Sequence, residues 1–83
     1  MQKYYVTMTD KFMSGWGLAK NKINKMVVIC ESFEQAATIA KNARKRSEMR
    51  FVNICYTKPS YPKHSYLTSW KQFSDLSGPW LEA

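Results

Sequence analysis

Met26-Val27-Val28-Ile29-Cys30-Glu31-Ser32-Phe33-Glu34-Gln35 is where this 83-residue chain changes its period. Met26 to Cys30 are apolar without alternation, the mark of a strand buried on both faces. Ser32 then supplies an N-cap, and Gln35 three residues later completes a capping box. Ala36, Ile39, Ala40 and Ala43 follow at i, i+3, i+4, i+7 and form one apolar stripe, with Phe33 extending it toward the N-terminus. Small alanines on that stripe predict a helix packed closely on a sheet. The helix is expected to end near Ser47.

Outward from this junction the period returns to two. Residues 3–9 alternate, with Tyr4, Val6 and Met8 on one face and Tyr5, Thr7 and Thr9 on the other, which predicts a strand. Residues 10–24 carry turn formers and no period, a long connection before the strand at 25–30. Residues 51–57 form the third predicted strand, with Val52, Ile54 and Tyr56 opposite Phe51, Asn53 and Cys55. Beyond Lys58, Pro59 and Pro62 break any ladder, and a short helix is expected around Thr68–Leu76. The predicted fold is α+β in the order β-β-α-β: a three-stranded sheet, first strand central and antiparallel to both others, with one amphipathic helix on one face. Residues 1–58 make this core. Residues 59–83 are an aromatic tail anchored on it, covering an edge or part of the other face.

Thirteen basic and six acidic side chains give a net charge of +7. Such a field attracts phosphate backbones, anionic lipid or acidic protein. No apolar stretch follows Lys3 as a signal peptide requires, and Met26–Cys30 is too short to span a bilayer, so an intracellular protein without a membrane partner is expected. Cys30 and Cys55 fall in predicted strands and read as free core thiols.

Catalytic parts are scarce. His64 is the only histidine, and it makes three potential zinc ligands with the two cysteines, far apart in sequence. The carboxylates Asp10, Glu31, Glu34, Glu48, Asp75 and Glu82 show no pairing suited to acid–base work. Gly15-x-Gly17 lacks the rest of a phosphate-binding loop. A non-enzymatic binder with no cofactor and no metal is expected.

Two basic clusters are the candidate binding residues. The first comprises Lys11, Trp16, Lys20, Lys22 and Lys25, where glycines flank a tryptophan among lysines. Either the ring stacks on a base while ammonium groups meet phosphates, or Trp16 folds back onto the core. The second comprises Lys41, Arg44, Lys45, Arg46 and Arg50 at the end of the helix, where arginine forks suit phosphate.

Tyr5-Val6-Thr7-Met8-Thr9-Asp10, Ser14-Gly15-Trp16-Gly17 with Ala19, then Asn24 and Cys30, and later Arg46-Ser47-Glu48-Met49 with Val52-Asn53-Ile54, resemble small proteins encoded by tailed bacteriophages. The resemblance spans residues 4–62 and brings no catalytic residues. It implies an accessory factor acting in the bacterial host cytoplasm, in the manner of anti-CRISPR proteins: a binder that inhibits a host defence nucleoprotein. Its alternative is a module that binds DNA or RNA directly through the basic helix and the Lys/Trp loop. A homodimer paired through a sheet edge is a further expectation.

Overall fold

The computed structural model describes residues 3–11 and 22–81. Among them β1 (Tyr4–Asp10), β2 (Ile23–Cys30), α1 (Phe33–Arg44), β3 (Met49–Cys55) and β4 (Tyr66–Gln72) follow in order, and two short 3₁₀ turns, Phe73–Asp75 and Gly78–Leu81, close the chain. The sheet has four strands in the order β3-β1-β2-β4. As expected, β1 lies between β2 and β3 and is antiparallel to both.

The fourth strand corrects the expected three. Residues 66–72 pair in parallel with β2, Ile23 opposite Tyr66 through Ile29 opposite Gln72, where a short helix over Thr68–Leu76 was expected. Tyr66, Thr68 and Trp70 alternate on one face, and aromatic and β-branched residues at that spacing favour strand over helix. Strand pairing therefore reaches into the tail, beyond the predicted 1–58 core.

The helix begins as its caps dictate. Ser32 Oγ accepts from the Gln35 backbone N–H at 3.1 Å. Gln35 Oε1 accepts from the Glu31 N–H at 2.9 Å, one residue earlier than the standard box. The helix stops at Arg44 with Lys45 as C-cap, short of Ser47. Its stripe packs as predicted: Ala36, Ile39, Ala40 and Ala43 are buried against Val6, Met8, Val28, Cys30 and Met49. Phe33 is half exposed and meets Tyr4 edge-on instead, ring centroids 6.1 Å apart. Phe73, Leu76 and Trp80 pack against the same core, and the Asn42 side-chain amide donates to the Trp80 carbonyl at 2.8 Å.

The other face of the sheet is covered too. From β3 at one edge to β4 at the other, residues 56–65 cross as a strap over the face opposite α1. Tyr61 is its centre: it shares a hydrogen bond with Thr7, lies under the Lys25 ammonium at 5.6 Å and meets Tyr66 at 5.3 Å between ring centroids. This explains why Thr7, Thr9 and Val27, which face away from the helix, are buried. β2, β3 and β4 are mutually parallel. The helix crosses one way over one face and the strap returns over the other, so both crossovers share one hand, as chain chirality favours.

Candidate basic end

Strand direction sets the geography of charge. α1 leaves the sheet at the end of β2 and returns at the start of β3, so its C-terminus lies at the end of the sheet where β1 stops and β2 and β3 start. The Lys11 N–H donates to the Glu48 carbonyl at 2.7 Å and ties the two connections together there. Lys11, Lys22, Arg44, Lys45, Arg46 and Arg50 thus gather at one end of the domain, with Asp10 and Glu48 as the carboxylates among them. Glu31, Glu34 and Asp75 lie at the other end, where Glu31 pairs with Lys3 at 3.6 Å.

Of the described members, Arg44 and Lys45 end the helix on one side of the sheet, whereas Arg50 pairs with Thr9 and shares the strap side with Lys25. The members of the two predicted clusters differ in what they already touch. Lys11, Lys41, Arg44, Lys45 and Arg50 are exposed. Arg44 reaches the Val52 carbonyl only at 3.5 Å. Arg46 is engaged: its guanidinium pairs with Glu48 at 2.8 Å and stacks over Trp80 at 4.7 Å. The Glu48 carboxyl is held below its usual range by a backbone hydrogen bond and by this arginine. Lys25 is a pillar of the strap side. Its ammonium donates to Thr9 Oγ1 at 2.7 Å, and burial lowers its pKa. Lys22 is half-buried at the start of β2. Trp16 and Lys20 lie outside the described residues, as does the Ser14-Gly15-Trp16-Gly17 element.

Phe51 is the feature at this end that sequence reading passed over. Thr7 pairs with Asn53 and Thr9 with Arg50, so β3 carries one extra residue in a bulge. Phe51 sits in it at φ 55° and is 74% exposed. A left-handed non-glycine residue costs about 1–2 kcal/mol, and an exposed ring recovers little of that by burial. The ring lines an open cleft with Thr9, Lys11, Ile23 and Lys25. Strain that holds an aromatic ring out beside lysines is the kind retained at binding surfaces. Phe51→Gly is expected to leave stability within about 1 kcal/mol of the parent, because glycine adopts this φ freely and offsets its own chain entropy. A thermal melt checks it.

No family model, curated protein or solved structure matches this chain. Cys30 is fully buried, and burial pushes its thiol up to about 11, so it stays protonated near neutrality. Cys30 and Cys55 are free thiols. No group of three His, Cys, Asp or Glu side chains that could hold a metal occurs among the described residues. No helix there is long and apolar enough to cross a membrane.

Apart from Lys22, a second basic and aromatic group also escaped sequence reading. Lys22, Lys58, Lys63, Tyr61, Tyr66 and Trp70 line a cleft between the strap and β4. The signal was present in the alternation Tyr66-x-Thr68-x-Trp70, which a helix reading of the same residues hid.

Proposed function

We propose that this protein acts by binding rather than by catalysis, and that it docks its basic end onto the nucleic acid of a host defence nucleoprotein, inhibiting it as the phage resemblance implies. One observation carries the reading: the topology brings cations from the helix C-terminus and from the β1–β2 connection, far apart in sequence, to a single end, with the acidic residues Glu31, Glu34 and Asp75 at the other. A charge distribution polarised in this way orients approach to a polyanion as well as attracting it. Lysine and arginine at this end would meet phosphates and set position, while the exposed Phe51 ring would meet a base or sugar. Occupying the path of a guide or target strand would block the complex without any chemistry. The setting proposed is the bacterial cytoplasm, with no cofactor. A homodimer, if formed, would use the outer edge of β3 or β4, because β4 already fills that of β2.

The test is a fluorescence anisotropy titration of the protein against labelled duplex DNA, single-stranded DNA and single-stranded RNA across salt, alongside pull-downs of host effector complexes. Binding that weakens steeply with salt supports contact with phosphate. Absence of binding to every nucleic acid at low salt, together with failure to retain any effector complex, overturns the proposal.

A further inference from the structure

The cleft between the strap and β4 has a volume of about 460 Å³, within the range of small-molecule sites and roughly adequate for one nucleotide unit. Tyr66 and Trp70 stand on β4, in register with Ile23 and Val27 of β2, on the face away from α1. Tyr61 closes the cleft from the strap. Trp70 is 41% exposed although it rests beside the fully buried Val27, so part of the indole is left open. The Lys58 ammonium lies 5.2 Å from the centre of that ring. A cation–π contact of this kind leaves the N–H donors of the ammonium for other acceptors. Lys63 is exposed in the turn that precedes β4. No carboxylate among the described residues lines the cleft. By contrast, the cleft at the opposite end, between Lys3, Glu31 and Gln72, is smaller, about 140 Å³, and carries both signs of charge.

We propose that the strap–β4 cleft binds one unstacked nucleotide of a single strand, its base against Trp70 and Tyr66 and its phosphates on Lys58 and Lys63. This rests on the reading that the protein binds nucleic acid, and adds that it prefers an unpaired segment. A base held in a duplex stack presents no π-face to such a cleft, whereas a single strand presents every base. Charge complementarity favours the phosphates, and the paired rings favour a base over a purely acidic peptide.

Affinity for a 5′-labelled oligo-dT of about twelve nucleotides and for a duplex of the same length would be measured by anisotropy for the parent and for Trp70→Ala, Trp70→Phe and Lys63→Glu. Circular dichroism reports folding, and Lys63→Glu, exposed in a turn, keeps the test open should Trp70→Ala not fold. Stacking on one ring predicts that Trp70→Ala weakens single-strand binding roughly tenfold, that Trp70→Phe recovers part of this, and that duplex binding stays within about twofold. Lys63→Glu is expected to weaken single-strand binding by a similar factor. Equal losses on both substrates, or none, overturn the cleft while leaving the basic end standing. Absence of all nucleic-acid binding by the parent overturns the cleft, and together with failure to retain any effector complex it overturns the basic end as well. Equal competition by poly-glutamate also overturns the cleft, since that chain carries charge and no base.

Discussion

Ile39→Ala is expected to lower the free energy of unfolding by about 2–5 kcal/mol, the usual cost of removing a large buried aliphatic side chain and leaving a cavity. Ile39 is fully buried at the centre of the stripe that packs against Val6, Met8 and Val28. Its neighbours on that stripe are alanines, too small to fill the space by changing rotamer. A domain of this size has about 5–15 kcal/mol in all, so the variant should lose a large fraction of its margin. Urea denaturation measures it, and an unchanged slope would show that the loss lies in the folded state. A cost below about 1 kcal/mol would mean that α1 does not pack on the sheet through this stripe. The contrast with Phe51→Gly is instructive: the larger ring should matter less, because it is exposed and its backbone is strained.

The second large effect concerns binding. Neutralising Lys11, Arg44, Lys45 and Arg50 together, each to glutamine, is expected to remove most affinity for duplex DNA or RNA. If each side chain meets one phosphate, the parent loses on the order of 100-fold between 50 and 200 mM salt through these contacts, and the variant's log–log salt slope falls by about 3.6. Arg46 is left in place, because its pairing with Glu48 and its stacking on Trp80 make it part of the scaffold. All four replaced side chains are exposed, so folding should be unaffected. An unchanged slope would move the contact surface elsewhere, whatever the absolute affinity.

Local signals in the sequence carried much of this architecture. The alternation of Tyr4, Val6 and Met8, the Ser32 N-cap and the alanine stripe each act over a few residues, and each appears as read. β4 was hidden because Pro59 and Pro62 mark an irregular segment, and the aromatic residues after them fit a tail as well as a strand. Only pairing with β2 decides between the two. Phe51's left-handed backbone was not legible either. It follows from the register of β3 on β1, where the step from Asn53 to Arg50 faces the shorter step from Thr7 to Thr9. The basic residues were picked out as two clusters by position. That Lys11 and Lys22 meet Arg44, Lys45, Arg46 and Arg50 at one end is a consequence of strand direction and of a helix running back along the sheet. That Arg46 and Lys25 are engaged within the protein is a matter of packing that spacing alone does not carry.

The measurement that tests the central claim most directly is a two-dimensional amide NMR titration of the labelled protein with a short nucleic acid. With a short DNA duplex, shifts are expected to concentrate at Lys11, at Lys22 to Lys25, and from Arg44 to Phe51, with Glu31 to Glu34 and Gln72 to Asp75 unmoved. Shifts centred on those distant residues instead, or none at saturating nucleic acid and low salt, would contradict it.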